Sequence, residues 1–254
     1  MDVVLLTAAG VGGATVFGAL IGFVFRNLSH KFSDIVLAFA AGVMLAAAVI
    51  GLIIPSVEGG GEYGIIVTVI GIFVGAVCMK LVDLLVPHLH KMADGEGDIE
   101  HHGGGANINK VMLFVLAIAI HNLPEGIAAG VGFGTGEEIS QAVVIALGIA
   151  LQNIPEGMVI VAPMLASGIK PAKAFLYAAL TGVVEVLGTF IGYFAASLAG
   201  AVLPFALAFA GGTMLYVISD EMIPETHAHG AESGATFSLI MGFCLILVFD
   251  VILV

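Results

Sequence analysis

His121-Asn122-Leu123-Pro124-Glu125-Gly126 recurs 31 residues later as Gln152-Asn153-Ile154-Pro155-Glu156-Gly157. Asn, Pro, Glu and Gly are identical between the copies, and Leu matches Ile in kind. Both copies lie in long apolar stretches, where an ionisable side chain is costly and marks a functional site. At helical spacing His121 and Glu125 are i, i+4, and Asn122 and Glu125 are i, i+3, so the polar groups share one helix face. Gln152, Asn153 and Glu156 repeat that arrangement. Pro124 and Pro155 carry no N–H, which predicts freed carbonyls at Ile120 and Leu151 and a kink beside each polar cluster. Two kinked helices with matched acids and amides read as the two walls of one metal site.

The surrounding chain is 60% hydrophobic and only 10% charged, with a mean hydropathy of +1.15. That composition excludes a soluble domain and predicts an all-α polytopic membrane protein. A barrel is excluded by the absence of Trp and the presence of only 4 Tyr, too few for aromatic girdles. Eight transmembrane helices are expected, at about 3–25, 34–56, 63–86, 111–131, 140–165, 171–197, 200–222 and 236–254, making residues 1–254 a single transmembrane domain. The first span has no basic segment before it and reads as a membrane helix rather than a cleaved signal. The net charge of −12 excludes nucleic acid as a partner and suits a cationic cargo. Cys78 and Cys244 both lie in apolar runs and read as small packing residues rather than a disulfide or thiolate ligands.

The seven Lys and Arg residues fall on one side of this plan. Arg26 and Lys31 lie between the first two spans, Lys91 and Lys110 in the loop 87–110, and Lys170 and Lys173 between the fifth and sixth. Lys80 reaches the same side by snorkelling. The positive-inside rule then puts both termini outside and the 87–110 loop, with His88, His90, His101 and His102, in the cytoplasm. A second repeat pairs Ala38-Phe39-Ala40-Ala41-Gly42-Val43-Met44-Leu45 with Ala208-Phe209-Ala210-Gly211-Gly212-Thr213-Met214-Leu215. These stretches belong to spans of opposite direction, so the expected architecture is 3+2+3: helices 1–3 and 6–8 as inverted repeats around a central pair. Such repeats meet at midplane binding sites in secondary transporters. Gly18 and Gly22 in the first helix mark a close helix–helix contact.

His121 lies about ten residues into its helix, hence roughly 15 Å deep at 1.5 Å per residue. Glu185, in the sixth helix, reaches a similar depth. Glu125, Glu156 and Glu185 with His121 and the amides of Asn122, Gln152 and Asn153 form a nitrogen and oxygen ligand set. It suits Zn²⁺, Fe²⁺ or Mn²⁺ better than Cu(I), and the imidazole argues against a pure Ca²⁺ or Mg²⁺ site. Met44 offers a thioether, although its repetition as Met214 is equally explained by symmetric packing. The run Asp220-Glu221-Met222-Ile223-Pro224-Glu225-Thr226-His227 reads either as an exit vestibule or as an acidic helix end. Three functions compete for such a site, the third being a channel-like or regulatory metal sensor, against which saturable, slow flux would argue. A transporter of divalent metal needs inverted repeats and symmetric ligands; an intramembrane metal-dependent hydrolase needs an open coordination position and a general base. The sequence holds no His-Glu-x-x-His pair, and its ligands are symmetric, so transport is the expected function and no enzyme activity is expected.

The paired motifs, the acid in the sixth helix and the eight spans with a His-bearing 3–4 loop resemble the ZIP (zinc/iron-regulated-transporter-like) family of divalent metal transporters. The resemblance covers essentially the whole chain. It implies uptake of Zn²⁺, or of Fe²⁺, Mn²⁺ or Cd²⁺, as cargo with no resident cofactor. It further implies a binuclear site and a homodimer in the plasma membrane. By the same resemblance, Met44, His121, Glu125, Gln152 and Glu156 hold one ion. Asn122, Glu125, Asn153, Glu156 and Glu185 hold the second. The resemblance also implies that helices 1, 4, 5 and 6 slide as an elevator against 2, 3, 7 and 8. The chain departs from some members in its short 3–4 loop and in carrying Gln152 where others have His.

Overall fold

The computed structural model describes residues 1–25, 29–85, 108–134, 139–198, 202–230 and 232–253. The described residues form helices joined by short turns, with no strand among them. In chain order, α1 spans Asp2–Val24, α2 His30–Gly59, α3 Gly64–Leu85 and α4 Ile108–Val131. They are followed by α5 over Ile139–Ala166, α6 over Pro171–Leu198, α7 over Leu203–Thr226 and α8 over Glu232–Leu253. Seven stretches among the described residues, in α1–α3 and α5–α8, are long and apolar enough to cross a membrane. The protein is therefore a multi-pass membrane protein.

Several helix ends differ from the sequence reading by three or four residues, among them the end of α2 at Gly59 and the starts of α7 at Leu203 and α8 at Glu232, and three of the differences have a local reason. α2 starts before the expected position 34 because Ser29 caps it, accepting from the Phe32 backbone N–H at 3.3 Å. The polar turn that hid this start buries Asp34 inside the helix. α7 runs past the expected end at 222, because a π-helical stretch, Ile218–Met222, carries the acidic residues onward into Ile223–Thr226. α4 begins at Ile108, so the last residues of the expected loop 87–110 are helical. His88, His90, His101, His102 and Lys91 lie outside the described residues.

A matching π-helical stretch interrupts α2 at Ala47–Ile53. Both stretches come just after the repeated octapeptides. A π turn admits one extra residue, so it rotates the side chains beyond it relative to those before it.

The helices pack in two sets. α4 lies along α6, and α1 lies along both α5 and α6; separately, α2 packs on α8 and α3 on α7. The sets meet chiefly where α2 touches α5 and where α7 touches α4. Backbone-to-backbone approach makes the first set tight, as small residues do where hydrocarbon lipid supplies no hydrophobic drive between helices. A methyl on Gly126 would overlap the Glu185 carbonyl oxygen, and one on Gly157 would overlap that of Thr15. Gly18 and Gly22 of α1 press on Ile154 and Met158 of α5, so that glycine pair is a packing seam within the chain, as expected. Apolar side chains such as Phe73 and Leu81 on α3, and Phe237 and Val251 on α8, point outward towards the surrounding hydrocarbon. Cys78 and Cys244 are both free thiols.

Candidate metal centre

The motif helices α4 and α5 are brought to one place by α6, which supplies Glu185. This carboxylate is fully buried. It accepts hydrogen bonds from the Thr15 hydroxyl at 2.7 Å, from Asn122 Nδ2 on the same oxygen, and from Asn153 Nδ2 on the other oxygen at 2.7 Å. Asn153 Nδ2 also donates to the Val11 carbonyl of α1 at 3.2 Å. A backbone carbonyl only accepts, so Asn153 must turn its NH₂ group towards Val11 and Glu185, and Asn122 turns its own towards Glu185 in the same way. Their oxygens consequently face the other way. Asn122 Oδ1 and Asn153 Oδ1 are buried without a hydrogen-bond partner, as are Glu125 Oε2 and both polar atoms of Gln152. Gln152 stands beside Glu125, but its amide makes no hydrogen bond of normal geometry.

A buried acceptor without a partner costs about 1–3 kcal/mol, and natural proteins rarely leave several together without a reason. Four such oxygens, drawn from both copies of the repeated motif, match what a bound cation requires. Glu125 lies within electrostatic range of both Glu156 and Glu185.

Beside this group stands a second one. His121 Nε2 is 3.1 Å from Glu221 Oε1, with side chains only 12% and 18% exposed. Glu156, partly buried, lies within electrostatic range of both His121 and Glu221. Met44 is buried in the apolar cluster that also holds Met214. The structure thus brings Asn122, Asn153 and Glu185 into direct contact, sets Glu125 beside Gln152, and groups His121 and Glu156 with Glu221. Among the described residues no three His, Cys, Asp or Glu side chains converge tightly enough to hold an ion by themselves. Any ion here is therefore shared between carboxylates and amides, a hard, oxygen-rich set with one imidazole and no thiolate.

Three groups at the centre were not singled out as ligands from sequence. Glu221 looked like part of an acidic helix end because the π-helical stretch breaks the 3.6-residue phase that would have turned it inward. Thr15 and the Val11 carbonyl belong to α1, whose sequence near them is only small and apolar. The signal for Glu221 was its position shortly after the repeated octapeptide; Thr15 gave none.

The ZIP Zinc transporter family profile matches residues 90–250, well over half of the chain. The chain is 40% identical over 252 residues to the zinc transporter GufA of Myxococcus xanthus, with 97% of each protein covered. It is 37% identical over 259 residues to the zinc transporter ZIPB of Bordetella bronchiseptica, covering 97% of this chain and 80% of that one. It is 33% identical over 320 residues to the zinc transporter ZIP11 of Homo sapiens, with 94% of each covered. Matches that span nearly the whole chain and both motif helices leave no room for the hydrolase reading: the chain belongs to the ZIP zinc transporter family and is a transporter, not an enzyme.

Proposed function

We propose that this protein is a secondary transporter that carries divalent transition-metal ions into the cytoplasm across the plasma membrane by alternating access. Zn²⁺ is its principal cargo, with Fe²⁺, Mn²⁺ and Cd²⁺ accepted by the same donors. The carrying observation is the set of buried oxygens without partners on Asn122, Glu125, Gln152 and Asn153, gathered from both motif copies around carboxylates. The family resemblance assigns two ion positions to this centre: Met44, His121, Glu125, Gln152 and Glu156 for one, Asn122, Glu125, Asn153, Glu156 and Glu185 for the other. Glu125 and Glu156 bridge them.

Alternating access is supported by the packing. Exchanging helices 1–3 with 6–8, and α4 with α5, turns the α1–α5 contact into α6–α4 and the α2–α8 contact into α7–α3, all of which occur. The same exchange relates Gly12 to Gly182, and each of these glycines packs on the carbonyl oxygen of the other. The matched π-helical stretches fall under it as well. These features favour eight spans in a 3+2+3 inverted repeat. All proposed ligands but Met44 of α2 lie on α4, α5 and α6, which pack with α1, so that set is the moving part and α2, α3, α7 and α8 the frame, in a homodimer with both termini outside.

Purified protein in liposomes, offered Zn²⁺, Cd²⁺, Mn²⁺, Fe²⁺, Mg²⁺ and Ca²⁺ in turn, tests this. Saturable accumulation of the first four and none of the last two is expected. Absence of any flux, or flux of Mg²⁺ equal to that of Zn²⁺, would overturn it.

A further inference from the structure

We infer that Thr15 of α1 is a positioning residue of the metal site: its hydroxyl holds Glu185 in the orientation that turns the amide oxygens of Asn122 and Asn153 towards the cargo. The inference rests on the transport reading above and adds a helix whose sequence suggested no site residue.

A threonine buried in a membrane helix ordinarily satisfies its hydroxyl on a carbonyl three or four residues back along its own helix. Thr181, Thr189 and Thr213 do so here, donating to the carbonyls of Ala178, Glu185 and Ala210. Thr15 does not. Its hydroxyl crosses to Glu185 Oε1 at 2.7 Å, although the side chain is as buried as the others. The carbonyl it would have used, that of Val11 four residues back, instead accepts from Asn153 Nδ2. The two contacts close a ring: Thr15 to Glu185, Glu185 to Asn153, Asn153 to Val11, and one turn of α1 back to Thr15.

Each bond in the ring restricts the next. Both donors on Glu185 Oε1, the Thr15 hydroxyl and Asn122 Nδ2, fix the rotation of the carboxylate. Its other oxygen is thereby aimed at Asn153 Nδ2. With its NH₂ shared between Glu185 and Val11, Asn153 has only one way to place Oδ1, into the buried space where that oxygen is unpartnered. Removing the hydroxyl leaves Glu185 Oε1 with a single donor and lets the carboxylate and both amides turn. The backbone is already fixed at this spot, because the Thr15 carbonyl oxygen packs on motif Gly157 as the Glu185 carbonyl packs on motif Gly126. The hydroxyl, not the helix, is therefore the variable part.

The test compares Thr15→Val, which keeps the shape and loses the donor, with Thr15→Ser, which keeps the donor, each alone and in a Glu185→Ala background. Zn²⁺ uptake by liposomes and Cd²⁺ titration calorimetry of the detergent-solubilised protein are read in parallel. Thr15→Val should raise KM and Kd about tenfold, the worth of one hydrogen bond to a charged acceptor, with Vmax within about twofold. Thr15→Ser should stay within about twofold of the wild type, and Thr15→Val should change little in the Glu185→Ala background. Wild-type affinity in Thr15→Val would overturn the inference. So would an equal loss in Thr15→Ser, or an undiminished effect of Thr15→Val in the Glu185→Ala background. If Thr15→Val does not yield folded protein, Thr15→Ala takes its place under the same criteria. Should the wild type bind Cd²⁺ but move no metal, the transport reading fails while calorimetry still decides the role of Thr15.

Discussion

The coupling between Asn153 and Glu185 is the most direct measure of how the centre works. Both are fully buried, and they share a 2.7 Å hydrogen bond from an amide to a carboxylate. A hydrogen bond to a charged group contributes about 1.5–3 kcal/mol net. Asn153→Ala removes that bond and one candidate ligand oxygen, so metal affinity should fall roughly 10- to 150-fold. Glu185→Ala removes the group that orients two amides and should cost at least as much. If the residues acted independently, the double variant would lose the sum of the two effects. They do not: once Glu185 is gone, Asn153 has lost the acceptor that turns its oxygen inward, and deleting it costs little more. The double variant should therefore fall short of additivity by about 1.5–3 kcal/mol, far outside the 0.3–0.5 kcal/mol scatter of independent sites. Cd²⁺ titration calorimetry on the wild type and three variants gives the cycle directly, with thermal unfolding in detergent as the control on integrity. Additivity within about 0.5 kcal/mol would refute the orienting role of Glu185.

Glu156→Ala removes the carboxylate proposed to bridge two ions and should abolish liposome uptake while the protein still folds and inserts; normal uptake would remove this centre from the transport path. Gly157→Leu should drive α1 from α5, since even a methyl there would overlap the Thr15 carbonyl. It should destabilise the protein by about 1–3 kcal/mol as a fall in melting temperature, whereas Gly13→Ala, where a methyl meets nothing within 4 Å, should not. For topology, a single Cys at Gly104 in a chain lacking Cys78 and Cys244 should resist impermeant thiol reagents in intact cells, while a Cys at Gly60 should label; equal labelling would reverse or break the proposed orientation.

What could be read from sequence was what repeats or what is costly. The motif copies announced themselves because Glu125 and Glu156 sit in apolar helices where only a function retains them, and Met44 with Met214 exposed the second repeat. Helix positions followed from hydropathy to within a few residues wherever the ends were apolar. They failed at Ser29 and at Thr226, where a capping side chain or a π-helical turn lets a helix run through polar sequence. The direction in which side chains point was not legible. His121 could be assigned a depth but not its contact with Glu221, because a π turn shifts the face of α7 by an amount no 3.6-residue pattern contains. The motif glycines had no evident role until Gly126 and Gly157 were found pressed against the backbones of Glu185 and Thr15. Thr15 itself was invisible, since a threonine in an apolar helix is ordinarily satisfied within that helix.

That last contact also locates where the two halves of the molecule stop being alike. Around the backbone the halves match closely: motif glycine on facing carbonyl in both cases, Gly12 against Gly182, a π-helical stretch beyond each octapeptide. The side chains at the same places do not match. Where α6 offers the carboxylate of Glu185, α1 offers the hydroxyl of Thr15. Where the later π-helical stretch holds Asp220 and Glu221, the earlier one, Ala47–Ile53, is wholly apolar. His121 stands where the second motif has Gln152. On the proposed transport reading, matched backbone contacts in the two halves favour two helix arrangements of similar energy, as alternating access requires. On that reading, a cation passing between the motifs would meet the acids of α6 and α7, Glu185 beside Asn122 and Asn153 and Glu221 beside His121, with no matching acids from α1 and α2. The proposed alternating access thus combines a near-symmetric frame, which favours two arrangements, with an asymmetric lining, which would bind the cargo unequally in them.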